Sequence, residues 1–412
     1  MTSKALAHRA VSTAASALIT CAALLFSANP AHAQVENNPT PGPNPKVPWL
    51  HEGLVFTASW YAQSHSGHSM DFKEDENGNW QAPDGTPLAG SEHPSTSAGG
   101  ISQAVVTCMG GDKVVLEMQS FTDMRMLGFP DPIPQGKPKT FYVAIAQCDL
   151  WMEPDILQSL TSDPSANRVV QPIKWISGNQ QIDAIRVTIV KPDHYITHVY
   201  DRSTGLCLHA AEASQGSTPE LKYTIPGETP AGDSQLSSYN FISTRTKNTP
   251  WATEQMPAWT STFKTLHYVG QSQVAGGFMP STPTQLGLDV TRYQSGDGWL
   301  GMTTSGFLIA QGEQKYPQQG YYLAGRDEFD TFFAGPNSLA NLQQGQVLDS
   351  DPVTHVQTVV SAADGNSVTI TESNASASVY HTFDRASGKV IAFGKTDTQT
   401  KIQTSFQLQS EE

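Results

Sequence analysis

Cysteine is scarce in this chain of 412 residues, and its placement is one-sided. Of four cysteines, Cys21 falls in the N-terminal leader, Cys108, Cys148 and Cys207 follow, and there is none after residue 207. Disulfides are therefore not the general staple of this architecture. An oxidising compartment allows one disulfide among the three and leaves one thiol over. All three pairings are open. Cys108–Cys148 is favoured because both residues sit in apolar, strand-like runs.

Positive charge is also in short supply. The chain has 24 basic against 38 acidic residues, a formal net charge of −14. Binding a nucleic-acid backbone needs a basic face, and so does an anionic membrane surface; this composition suits neither. Beyond the leader there is no continuous apolar run long enough to span a bilayer. Catalytic motifs are missing too. A serine-hydrolase elbow needs Gly-x-Ser-x-Gly, and Gly270-Gln271-Ser272 lacks the second glycine. There is no phosphate-cradling loop and no dinucleotide fingerprint. A calcium loop counted from Asp75 would put Trp80 where glycine is required and Thr86 where glutamate is required. The expectation is a protein without catalytic residues and without a cofactor.

What is present begins with an export signal. Lys4 and Arg9 precede an apolar stretch from Val11 to Phe26, and Ala31-His32-Ala33 fits the small-x-small cleavage rule. Residues 1–33 are thus expected to be a cleaved signal peptide, which places the mature chain in the periplasm or outside the cell. Losing Lys4 and Arg9 makes the mature chain more acidic still. Residues 34–50 are rich in Pro and Asn and are expected to form a disordered leader.

The rest of the chain reads as an internal duplication. His198-Val199-Tyr200-Asp201-Arg202-Ser203-Thr204-Gly205-Leu206 returns as His381-Thr382-Phe383-Asp384-Arg385-Ala386-Ser387-Gly388-Lys389. In each copy Asp opens a turn by accepting the N–H groups that follow it, and Gly closes the turn at φ > 0. A second matched set is Trp151, Pro154, Leu157 and Leu160 with Phe333, Pro336, Leu339 and Leu342. An aromatic, a proline at a helix start and two leucines three apart predict one short helix with an apolar stripe. Around these anchors the signals are strands, such as Ile182 to Val190, and turns, such as Asn77-Gly78 and Ala363-Asp364-Gly365-Asn366. The predicted fold is mainly β: two tandem antiparallel β-meander modules, each a curved sheet or half-barrel with one short helix. Module one is expected over 51–246, a linker with Trp251 and Trp259 over 247–262, and module two over 263–412.

The hairpin Tyr200-Asp201-Arg202-Ser203-Thr204-Gly205-Leu206, together with this layout, resembles the lipoprotein-carrier half-barrel of periplasmic lipoprotein chaperones and their lipid-binding relatives. The resemblance implies a curved sheet that holds an apolar or acyl ligand. On that reading Trp151, Leu157 and Leu160, with Phe333, Leu339 and Leu342, would line one pocket per module. The partner is then an apolar small molecule. The alternatives are an envelope protein-interaction module with two similar surfaces, and a hydrolase with no short motif.

Other chemistry-bearing residues have plainer readings. His65 and His68 sit in a Ser/His/Gly segment that suits a solvated loop better than a metal site. His198 and His381 repeat each other and are expected as half-buried strand residues bonded to a carbonyl. Arg202 and Arg385 are expected in salt bridges at the turns. Asp149, Glu153 and Asp155, like Asp327, Glu328 and Asp330, would favour the N-terminus of the repeated helix.

Overall fold

The computed structural model describes residues 47–65, 73–74, 80–81, 95–123, 131–177, 179–191, 194–215, 234–247, 249–274, 283–310, 313–329, 331–398 and 400–412. The expected signal peptide, most of the Pro-rich leader and the Asn77-Gly78 turn lie outside the described residues.

The first half of the chain forms β1 (Leu54–His65), β2 (Lys73–Glu74), β3 (Trp80–Gln81), β4 (Ser95–Gly110), β5 (Lys113–Thr122) and β6 (Ile133–Ala144). Then come β7 (Gln147–Cys148), β8 (Trp151–Met152), helix α1 (Pro154–Ser159), β9 (Arg168–Ser177), β10 (Gln180–Lys191), β11 (His194–Asp201), β12 (Cys207–Gln215) and β13 (Ser234–Thr246). Nine of these strands make one sheet in the order β6-β5-β4-β1-β13-β12-β11-β10-β9. The second half forms β14 (Thr265–Val274), β15 (Thr284–Gly296), β16 (Trp299–Ala310), β17 (Glu313–Gly325) and helix α2 (Pro336–Asn341). It continues with β18 (Val347–Ser350), β19 (Gln357–Ala363), β20 (Ser367–Ser373), β21 (Ala377–Asp384), β22 (Val390–Asp397) and β23 (Ile402–Glu411). The ten-stranded sheet runs β17-β16-β15-β14-β23-β22-β21-β20-β19-β18. The two orders are the same apart from the extra edge strand β18. In each, the first strand pairs with the last, and the helix sits on the segment that joins the two edges.

Packing divides the chain into two compact units. The first holds Ala58–Gly100 and Ala146–Phe241; the second holds Trp49–Thr57, Ile101–Ile145 and Ile242–Glu412. Each is described by itself.

The duplication extends to individual hydrogen bonds. Gly205 and Gly388 have φ of 74° and 69°. Asp201 Oδ1 accepts from the N–H groups of Ser203 (2.7 Å) and Thr204 (3.1 Å), and Asp384 Oδ1 from that of Ser387 (2.7 Å). The Gly205 carbonyl accepts from Met152 N at 2.9 Å, and the Gly388 carbonyl from Ala334 N at 2.8 Å. Trp151 forms a lone bridge to Leu206, and Phe333 one to Lys389. The repeated hairpin therefore clamps the segment that leads into each helix.

Each helix is six residues long, too short to be stable without its buried stripe. Each starts with Pro at its first position, where the missing N–H costs nothing. α1 carries Asp155 in its first turn as expected, whereas α2 differs from the expectation in two ways. In α2 the first turn carries no acid; Glu254 reaches in and accepts from Ser338 N at 2.7 Å and Asn337 N at 3.2 Å. Asp327 and Glu328 are instead buried just after β17, where Glu328 accepts from Tyr322 Oη (2.9 Å) and Gly325 N (2.8 Å). Arg385 makes no turn-side salt bridge with Asp384. It donates to the carbonyls of Leu339 (2.5 Å) and Leu342 (3.0 Å) at the end of α2, where a cation also suits the helix dipole.

Leu157 and Leu160 enter a core with Ile156, Ile185, Val187 and Tyr200. Leu339, Leu342 and Phe333 enter one with Val290, Leu300, Met302, Val368 and Phe383. Both tryptophans of the expected linker belong to the second unit. Trp251 is buried edge-on against Phe329 (5.7 Å), and Trp259 packs on Phe263 and donates to the Ser387 carbonyl at 2.8 Å. Among the described residues no helix is long and apolar enough to cross a membrane.

Candidate functional site

Side chains alternate across a strand, so β14 divides the faces of the second sheet. Leu266 and Tyr268 point to the helix-bearing core, and His267 and Val269 point away. Continuing on the core face, Gly270 stands opposite Phe406, Phe406 opposite Phe393, and Phe393 opposite His381. The side chains form a stacked row. Phe393 and Phe406 are 5.1 Å apart at 19°, and His381 and Phe393 are 5.8 Å apart at 13°. Gly270 is needed because a Cβ there would stand 2.6 Å from the Phe406 ring. Tyr268 meets Phe393 at 5.2 Å, Phe332 meets Phe393 at 5.8 Å, and Tyr322 meets Phe332 at 6.1 Å. Tyr268 is buried, whereas Tyr322, Phe332, Phe393 and Phe406 are only half-buried against the core.

The next row on this face is polar. Ser272, Thr404, Lys395, Val379, Glu372 and Thr358 stand opposite one another in turn across β14, β23, β22, β21, β20 and β19. Ser272 and Thr404 hydroxyls are 3.1 Å apart, and Lys247 Nζ lies 3.7 Å from Glu372. An apolar aromatic row thus borders a row of hydroxyls and charges. That arrangement can hold a molecule with an apolar body and a polar end.

Burial lowers the His381 pKa to about 4, against the opposing effect of Glu372. At neutral pH His381 is therefore an uncharged ring in the stack, not an acid catalyst poised near pH 7.

The same row exists in the first unit with different contents. Val170, Val187, His198, Ala210 and Tyr239 face one another across β9 to β13. His198 matches His381, and Ala210 takes the place of Phe393. The His198 ring stacks on Tyr200 at 5.7 Å and 11°. Burial lowers its pKa, opposed by Asp149, whose carboxylate is 4.0 Å away. Both histidines are thus strand residues stacked on aromatic neighbours, rather than the carbonyl-bonded groups expected.

The six residues singled out from the sequence in and around the two helices are all buried. Trp151, Leu157, Phe333 and Leu339 are at most 1% exposed, and Leu160 and Leu342 are buried at 7% and 5%. Phe393 and Phe406, which carry the half-open part of the face, were not singled out. Their sequence signal is slight: each is one aromatic in an alternating strand, and only the β22–β23 register brings them together. His65 ends β1, and His68 lies outside the described residues. Among the described residues no group of three or more His, Cys, Asp or Glu side chains is arranged to hold a metal ion. Cys108, Cys148 and Cys207 are free. Cys108 Sγ lies 3.3 Å from the Asp297 carbonyl in the second unit, and burial pushes its thiol up to about 12. Cys148 and Cys207 lie in the first unit, where burial raises both thiols.

No protein-family model matches the chain, and no curated protein matches it. Among solved structures it matches a protein of unknown function of the DUF3598 family from Nostoc punctiforme at 9% identity. That match covers 87% of this chain and 96% of the other, with a TM-score of 0.15. MucB in complex with MucA(peri) matches at 8% identity over 87% of this chain and 88% of that one, with a TM-score of 0.20. A mutant of the vaccine antigen transferrin-binding protein B from Haemophilus parasuis matches at 8% identity, over 88% and 77%, with a TM-score of 0.14. None of these places the chain in the lipoprotein-carrier family that its hairpin resembles.

Proposed function

We propose that this is an exported, non-catalytic binding protein for an apolar or lipid-like molecule, held on the helix-bearing face of the second sheet. The observation that carries this reading is the half-buried row of Phe393 and Phe406, with Phe332 beside it, bordered by Lys395 and Glu372. Stacked aromatics at the edge of a filled core leave apolar area for a ligand to cover, and each ligand methylene buried there contributes about 0.8 kcal/mol. The leader of residues 1–33 supports export to the periplasm or beyond, and the acidic composition supports an uncharged or weakly charged ligand.

The test is displacement of an environment-sensitive fluorophore by fatty acids and lysolipids. Wild type should bind, and Phe393→Ala should weaken binding about ten-fold while remaining folded. Equal binding by a folded Phe393→Ala, or no binding by wild type, removes this site. Leu157→Asp and Leu339→Asp are unsuitable probes, because both leucines are fully buried and a charge there would unfold the module before any ligand was involved.

A further inference from the structure

The face of the second sheet that points away from the helix carries aromatics of a different kind. Trp299, Gly301 and Thr303 share this face of β16, since Leu300 and Met302 between them are in the core. A β-bulge between Arg292 and Gln294 re-aims Tyr293 across the neighbouring strand. Its ring lies on Gly301, where a Cβ would stand 2.8 Å from Tyr293 Cζ, and Trp299 likewise lies on Gly296. Tyr321 faces Thr303 and meets Tyr293 edge-on at 6.2 Å and 87°. Tyr142 meets Trp299 at 5.4 Å. Tyr321 is 83% exposed, Tyr293 50% and Tyr142 45%. Glycine beneath an aromatic lets the ring lie against the backbone with its other face to water.

About 25 Å further along β15, at strand rise, the same face holds a groove of about 330 Å³. Gln271, Gln273, Thr396, Gln403 and Ser405 line it, with Tyr380 over Gly394 at its side. Among the described residues, no charged side chain lines it.

We propose that this face binds a neutral polysaccharide. Three observations favour that occupant. The exposed rings are the tyrosines Tyr142, Tyr293 and Tyr321, with the half-buried Trp299 beside them, and such rings stack on the C–H face of a sugar. The side chains at hand are amides and hydroxyls, and a glutamine amide donates and accepts as a sugar hydroxyl requires. The described lining of the groove offers no cation to an acidic polymer and no anion to a basic one. A protein partner would instead favour mixed aromatic and aliphatic anchors with arginine.

The experiment is affinity electrophoresis of the whole mature chain in gels containing dextran, amylopectin, galactomannan or a β-glucan. At least one should retard wild type. Tyr293→Ala and Tyr321→Ala should each weaken the retardation about ten-fold, the effect expected for loss of one stacked ring. Gln271→Ala with Gln403→Ala should weaken it too. All four residues are surface positions, so the variants should fold, and circular dichroism checks this. The proposal fails if none of the four polymers retards folded wild type, or if Tyr293→Ala and Tyr321→Ala are retarded as wild type is. It fails equally if a protein from the same envelope binds through Tyr321 and no polysaccharide competes with it.

Discussion

Gly205 and Gly388 press against the same atom in two copies of one motif. A Cβ on Gly205 would collide with the carbonyl oxygen of Met152, and one on Gly388 with that of Ala334. Each glycine therefore answers two demands, a positive φ and a backbone contact at the entrance to a helix. Ala at either site is expected to cost about 3 kcal/mol, more than the roughly 1 kcal/mol of the dihedral alone. Urea denaturation of G205A and G388A checks this. A change below about 1 kcal/mol would mean that the clamp is loose.

His381 makes stability depend on pH. The unfolded chain takes up a proton on this residue below about 6.5, whereas the folded protein does so only below about 4. Between these values the unfolded state binds more protons, so the contribution is complete above pH 6.5 and is lost as pH falls towards 4. The loss is on the order of 3 kcal/mol. Melting curves across this range should fall more steeply for wild type than for His381→Gln, and parallel curves would contradict the assignment.

Asp351 accepts from Gln103 Nε2 (2.8 Å), Arg245 Nε (2.7 Å), Val353 N (2.8 Å) and Thr354 N (2.7 Å). Burial alone would raise its pKa, but the Thr354 amide, the Gln103 amide and the Arg245 guanidinium together hold it below the ordinary carboxylate value. Its contribution is therefore present above the ordinary value and is lost as pH falls below it. Asp351→Ala leaves a half-buried Arg245 with only Asp349 and should destabilise the second unit by about 3–5 kcal/mol. A midpoint shift equivalent to less than about 1 kcal/mol would show that the cluster is solvated.

Leu157→Ala and Leu339→Ala are expected to cost about 2–5 kcal/mol each, since both side chains are fully buried under their helices. Similar losses at the two sites would support equivalent roles for the helices. A loss at only one would show that the other module tolerates the cavity by relaxing.

The features legible in the sequence are those made within a few residues. Asp201 and Gly205, like Asp384 and Gly388, form their turn locally, so spacing alone locates them. The helices follow from Pro154 and Pro336 with their paired leucines. Less legible were the features made across long separations. Glu254 caps α2 from 84 residues away. Phe393 and Phe406 meet only through register, and Tyr293 reaches Gly301 only through a bulge that no local pattern announces. The sequence therefore points to the buried residues Leu339 and Phe333, and not to the half-open rings of Phe393 and Phe406.

Native mass spectrometry of the protein, purified from the organism that makes it, tests the binding reading most directly. The expected result is a polypeptide carrying an added small mass that organic extraction removes, with Phe393→Ala carrying less of it. The bare polypeptide mass in both, before any extraction, would contradict a ligand on the Phe393–Phe406 row.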